Sequence, residues 1–245
     1  MSAQVRKQSS NKGFLIALGA ILVAGGAFIY WKMQQDPPAE VLVMPTVADS
    51  ALAAKAHGYT IGSATAPVEI VEFADYECPA CGNYFTLTEV DVRKNLVETG
   101  MVKYTFYDFP LLNAHQNTIP ASMSAACADD QGKFWEMHDA LFTDQLEWSG
   151  VSTSNPRGVI TAYAQRIGLD IGKWNACMDA QTHAERIKAN YALGLVKQVG
   201  STPTFFVNGV KMVGAPPYDE MKAAVDSAAA KVAPAAATAP APAAK

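Results

Sequence analysis

The sequence predicts an α/β domain, and three stretches carry that expectation. Val68-Glu69-Ile70-Val71-Glu72-Phe73 is an apolar run that leads into a segment, residues 82–100, with a helical pattern. Met101-Val102-Lys103-Tyr104-Thr105-Phe106-Tyr107 alternates and is rich in β-formers, so it reads as a second strand. Near the end, Thr204-Phe205-Phe206-Val207 and Val210-Lys211-Met212-Val213 flank Asn208-Gly209, the strongest short-range hairpin signal. A strand, a helix and a second strand imply a crossover that lays the helix on a sheet.

In chain order, residues 14–31 carry no charge. At about 1.5 Å per residue, a helix of that length nearly matches a hydrocarbon core of about 30 Å. Arg6, Lys7 and Lys12 precede it, and Lys32, Asp36 and Glu40 follow. The positive-inside rule places residues 1–13 in the cytoplasm and the rest outside, with Tyr30 and Trp31 at the interface. The competing reading is a cleaved signal peptide processed near Gly25-Gly26-Ala27. The apolar run continues past that point through Phe28 and Ile29, which favours an uncleaved, single-pass signal-anchor in the cell (inner) membrane. On either reading the bulk of the chain is exported to the periplasm or cell exterior, where disulfides persist.

Residues 32–57 contain Pro37-Pro38 and many small residues and read as a linker. Residues 228–245 are Ala/Pro-rich and read as a disordered tail. Residues 58–227 remain for one domain, enough to bury a core. Within it, residues 113–199 read as a helical insertion between the sheet halves. Helices are expected at 121–130, 133–143, 156–167, 171–180 and 182–199, and a last one at 217–230. Net charge is −4 with no basic cluster after residue 32, which excludes nucleic acid as a partner.

The decisive feature is Cys78-Pro79-Ala80-Cys81, at the corner between the first strand and its helix. Cys78 falls at the helix N-cap and Pro79 at the first helical position, where its missing N–H costs nothing. Free N–H groups and the helix dipole there favour a thiolate, the attacking species in disulfide exchange. Cys78 is therefore the candidate nucleophile, and Cys81, one turn in, the candidate resolving thiol. A zinc site would need a second ligand pair. Cys127 and Cys177 are not spaced as one, and His57, His115, His138 and His183 form no metal pattern. Cys127 and Cys177 are either two inert buried thiols or a second bridge. Trp135, Trp148 and Trp174 read as packing residues. Glu69 is expected to face solvent. Glu77, beside Cys78, is also expected to be exposed, its charge opposing thiolate formation.

Three motifs together resemble the DsbA-like branch of the thioredoxin superfamily. They are Phe73-Ala74-Asp75-Tyr76-Glu77-Cys78-Pro79-Ala80-Cys81, Gln131-Gly132-Lys133-Phe134-Trp135-Glu136-Met137-His138, and Ser201-Thr202-Pro203-Thr204-Phe205-Phe206-Val207-Asn208-Gly209. The resemblance implies a thioredoxin fold with an inserted helical lid, and thiol–disulfide oxidoreductase activity on exported proteins. It implies that Pro203 is a cis-proline facing the Cys-x-x-Cys, with the Thr202 backbone presented to an extended substrate. It places an acidic residue, Glu72, under the two cysteines, where a buried carboxylate can exchange a proton with Cys81. Some relatives also carry a second, structural bridge, which would join Cys127 and Cys177. No bound cofactor is needed, because the electrons reside in the two sulfurs. An oxidase of this family is recharged by an integral-membrane redox partner. The alternatives are an isomerase or reductase of the same fold, or a non-enzymatic metal-binding or chaperone module. Isomerases usually dimerise, and the sequence shows no dedicated dimerisation segment, so a monomer is expected.

Overall fold

A computed structural model describes the backbone of residues 12–35 and 42–232, with side chains for 14–27 and 42–232. The expected cytoplasmic segment before residue 12, the start of the linker to residue 41 and the tail from 233 lie outside the described residues. The chain divides into two units at residues 41 and 42. The first holds, among the described residues, one helix, α1 (Lys12–Gln35). Among the described residues no helix is long and apolar enough to cross a membrane. The expected anchor runs on to residue 31, beyond the described side chains.

The second unit opens with α2 (Ser50–Ala53), capped by Asp49, whose side chain accepts from Ala51 N and Leu52 N at 2.9 and 3.0 Å. It continues with β1 (Tyr59–Ile61), β2 (Val68–Ala74) and α3 (Pro79–Tyr84). The helix does not stop at Tyr84. It widens into a π-segment (Phe85–Glu89), tightens at α4 (Val90–Val92), and widens again (Arg93–Val97), with right-handed helical backbone at every junction. β3 (Val102–Asp108) follows. The helical insertion comprises α5 (Thr118–Asp129), α6 (Phe134–Thr143), α7 (Gln145–Trp148), α8 (Arg157–Arg166), α9 (Ile171–Asp179) and α10 (Ala184–Val196). β4 (Thr204–Val207), β5 (Val210–Val213) and α11 (Tyr218–Val232) close the unit.

The five strands run β1-β3-β2-β4-β5. β2 and β3 are parallel, with Glu72 opposite Phe106, and the other neighbours are antiparallel. The β4–β5 turn is Asn208-Gly209, both at positive φ (44° and 85°), as a hairpin turn matched to strand twist requires. Gly168 ends α8 at φ 73°, and Leu169 N reaches back to Ala164 O, a Schellman closure that glycine makes without strain. Alternation along β2 puts Val68, Ile70 and Glu72 on one face of the sheet. There Val68 and Ile70 pack with Tyr84, Val92, Tyr104 and Phe205, and with α11 through Met221 and Val225. The larger core joins Ala74, Tyr76 and Phe106 to the helical insertion, with Trp148 and Trp174 fully buried.

Two boundaries differ from the sequence reading. Residues 42–57 are not a spacer: Met44 and Ala53 are buried, α2 packs on α10, and His57 N donates to Asn190 Oδ1 at 2.9 Å. The many small residues around Met44 and Ala53 conceal these two anchors. The C-terminal helix also runs to Val232, past the expected tail boundary at 228, because alanine favours the helix and Ala228 is buried. β1, a strand of only three residues, has too little pattern to be read from sequence.

Cys127 on α5 and Cys177 on α9 are joined by a disulfide, with Cα atoms 5.8 Å apart and fifty residues of separation. Closing a loop of that length corresponds to about 4 kcal/mol in the chain-entropy model. Replacing both cysteines by alanine should lower the unfolding free energy by about that much in denaturant titrations. An unchanged midpoint in the double variant would show that the two helices do not depend on the bridge.

Candidate active site at the Cys-x-x-Cys corner

After β2 the chain turns through Asp75, Tyr76 and Glu77 into α3, and buried hydrogen bonds fix this turn. Asp75 is 1% exposed. Its Oδ1 accepts from Glu77 N at 2.8 Å, its Oδ2 from Leu111 N at 2.7 Å, and its carbonyl from Cys78 N at 3.1 Å. Tyr76 packs between Phe106 and Phe142, with ring centroids 5.2 and 5.0 Å away. Gln145 of α7 donates through Nε2 to Tyr76 O at 2.7 Å and Cys78 O at 2.9 Å. Gly82 makes room for it: a Cβ there would lie 2.6 Å from Gln145 Oε1.

Glu77 departs from its expected exposure. It is buried, and its carboxyl accepts from Asn117 N at 2.6 Å and from Gly150 N. Asn117 in turn donates to Trp148 O and Thr153 O, both at 2.8 Å. Two backbone donors from the insertion turn Glu77 inward, so it tethers the corner rather than facing water. The partners lie 40 and 73 residues away, which no local pattern reveals.

Cys78 is the N-cap of α3, with extended backbone (φ −70°, ψ 122°) and Pro79 at the first helical position. Both site cysteines are free thiols in this structure. The Cys78 thiol is pulled down to about 5, first by the hydrogen bond from the Cys81 thiol, then by Thr202 and the N–H groups of Cys81 and Ala80; burial opposes these. Cys81 is 1% exposed, and its thiol is pushed well above the ordinary range. Burial is the largest cause, followed by its hydrogen bond to Cys78 and the charges of Cys78 and Glu72. One sulfur is thus built to be an anion and the other to keep its proton.

Glu72 lies on the β2 face that also carries Ile70, and accepts a hydrogen bond from Tyr104 Oη at 2.6 Å. It is 1% exposed, and burial pushes its carboxyl up to about 7 against the opposing pull of Tyr104 and Arg93. The Thr202–Pro203 peptide is cis. Cys78 Sγ donates to Thr202 O at 3.4 Å. Thr202 Oγ1 is buried without a partner in this thiol form. Its part in lowering the Cys78 pKa is therefore a bond it can donate to the thiolate and does not make to the thiol. The structure thus gathers Cys78, Cys81, Glu72, Thr202 and Pro203 at one corner, and places Cys127 and Cys177 within the insertion.

A second buried acid, Glu89, escapes sequence reading. It lies in the π-segment two turns beyond Cys81, on the face that also carries Phe85. Arg93 Nε is 3.3 Å from it and His138 Nε2 3.7 Å. Burial pushes it up to about 7. Helical spacing from Cys81 through Phe85 was the available signal. Among the described residues one cluster, Cys127, Cys177 and His183, has metal-like proximity. Its two sulfurs are bonded to each other and His183 Nε2 meets Asp130 Oδ2 at 2.9 Å, so no ligand set remains.

With this geometry in hand, comparison with known proteins locates the family. A family model described as Thioredoxin matches residues 55–227. The "Na(+)/H(+) antiporter NhaA 3" of Salinispora tropica is 36% identical over 167 residues, 68% of this chain and 24% of that protein. The chain thus spans about a quarter of the length of that curated relative. The "Disulfide bond formation protein D" of Bacillus subtilis is 26% identical over 170 residues, covering 68% of this chain and 74% of that one. The crystal structure of Wolbachia pipientis alpha-DsbA1 superposes with a TM-score of 0.65 at 21% identity, over 72% of this chain and 92% of that one, and so shares the fold. The chain belongs to the thioredoxin superfamily.

Proposed function

We propose that this chain is an extracytoplasmic protein thiol–disulfide oxidoreductase working chiefly as an oxidase of exported proteins. The observation that carries this reading is the opposed environment of the two sulfurs, Cys78 lowered to about 5 and Cys81 raised. Stabilising the Cys78 thiolate stabilises the reduced form, which makes the Cys78–Cys81 disulfide a stronger oxidant. In the forward direction a substrate thiolate attacks Cys78 Sγ. The Cys78–Cys81 bond breaks, and its electron pair leaves on Cys81. That sulfur takes up a proton, and Glu72, near 7, is the acid to supply it. A second substrate thiolate then attacks the substrate sulfur of the mixed disulfide. It releases Cys78 as a thiolate and leaves the substrate oxidised by two electrons. In reverse, Glu72 takes the proton from Cys81 as that thiol attacks. The Bacillus relative, a disulfide bond formation protein by name, supports the same direction.

The uncharged residues 14–31 behind Arg6, Lys7 and Lys12 hold the domain at the cell membrane, facing the periplasm or exterior, where an integral-membrane partner re-oxidises it. In spheroplasts, added protease should remove the domain from a full-length, membrane-bound protein. A shorter soluble form beginning near Phe28 would contradict the anchor and leave export intact.

The chemistry is tested by variants presented with a protein substrate in its reduced dithiol form and, for trapping through a free Cys78 thiol, in its disulfide form. Cys78→Ser should abolish exchange. Cys81→Ser should accumulate reductant-sensitive mixed disulfides through Cys78. Glu72→Gln should slow release of Cys81 by about 100-fold, the lower end for a lost general acid–base. Because the acid form of Glu72 is lost as pH rises through about 7, the intact protein's forward rate per unit of substrate thiolate should fall across that pH, and the Gln variant's should not. Exchange that survives Cys78→Ser, or adducts that form on Cys81, would reverse the roles.

A further inference from the structure

The dipeptide between the cysteines is Pro79-Ala80, which brings no cation to the thiolate, while Asp75 and Glu77 are buried beside it. A group that can carry a positive charge does reach this corner, from the loop before α5. His115 Nδ1 meets Asp75 Oδ2 at 2.7 Å, the oxygen that also accepts from Leu111 N. Asp75 is also bound to the backbone of Glu77 and Cys78, so the imidazole is held by the same residue that shapes the turn. The His115 side chain is 15% exposed and lines a cavity of about 530 Å³ together with Pro79 and Glu77.

We propose that the Asp75–His115 pair is an electrostatic positioning device for Cys78, an imidazolium held beside the site to stabilise the attacking thiolate in place of a cation within the Cys-x-x-Cys. Asp75 bound to Nδ1 keeps that proton on the ring and leaves Nε2 as the second ring nitrogen, the arrangement by which a carboxylate fixes and charges a histidine. His115 is raised above its ordinary value first by the Asp75 hydrogen bond, then by the charges of Asp75, Cys78 and Glu77, with burial opposing. Asp75, Cys78 and Glu77 are the charged groups that raise it most. The coupling is reciprocal: a thiolate that favours imidazolium is favoured by it to the same extent. Below the His115 pKa the cation is present, and as pH rises through that value its support for the Cys78 anion is lost. Between about 5, where Cys78 ionises, and the His115 pKa the two charges coexist.

The inference rests on the oxidoreductase reading, and its test separates the two. Cys78 ionisation in the reduced full-length protein is followed by the pH dependence of alkylation, alongside the equilibrium of the pair with glutathione. His115→Gln keeps size and polarity without charge. It should raise the Cys78 midpoint, by up to about one pH unit as the lower end of what a near opposite charge supplies, and weaken the pair as an oxidant of glutathione by up to about tenfold. His115→Lys restores a permanent cation and should return both readings toward the wild type. An unmoved midpoint in His115→Gln overturns the proposal, as does a shift that His115→Lys fails to reverse, since a purely structural role would respond so. Failure of the unmodified protein to exchange with glutathione would instead sink the oxidoreductase reading.

Discussion

Two sulfurs one helical turn apart are held in opposite solvation states, and the rest of the site depends on that difference. Cys78 sits where the chain enters α3 and meets donors: the Cys81 thiol, the hydroxyl of Thr202, and two backbone N–H groups. Cys81 sits beneath, removed from water, with the Glu72 carboxyl near enough to disfavour a second charge. A helix dipole alone contributes about 0.3–1 kcal/mol at exposed sites and up to about 2 kcal/mol where partly buried. At 1.36 kcal/mol per pH unit, about one and a half units is the most it can give. The fall of Cys78 to about 5 therefore rests mainly on directed donors, the Cys81 proton first. Each sulfur sets the other's state.

The helical insertion maintains this arrangement rather than merely covering it. Gln145 holds the carbonyls of Tyr76 and Cys78, and Glu77 holds Asn117 and Gly150. The turn that fixes Cys78 at the helix start is therefore made by residues from both halves of the domain. The insertion also supplies His138 and Asp139, which with Arg93 surround the second buried acid, Glu89. Tyr59 stacks on Phe134 at 3.5 Å between centroids, tying the edge strand β1 to the same helices.

What sequence reveals here is what local pattern controls. Cys78-Pro79-Ala80-Cys81 and the Asn208-Gly209 turn carry their geometry in adjacent residues. Gly168 marks the break between α8 and α9 because only a residue tolerant of positive φ closes a helix that way. The β-branched and aromatic content of β2 and β4 is likewise local. What stayed hidden has its cause elsewhere in the chain. Glu77 looked exposed because its two donors come from the insertion. Residues 42–57 looked like a spacer because their burial is supplied by α10. His115 stood in no motif, and only Asp75, forty residues earlier, brings it to the corner. Glu72 was placed by resemblance, and its shift depends on the burial that surrounds it.

The central claim is the opposed ionisation of the two site thiols, and the most direct test reads both at once. The reduced protein is alkylated in short pulses across pH, and the modification of Cys78 and Cys81 is resolved by peptide mass. The account requires Cys78 to be modified with a midpoint near 5 while Cys81 remains unmodified through neutral pH. Two thiols that titrate together near the ordinary cysteine value of about 8.5 would contradict it.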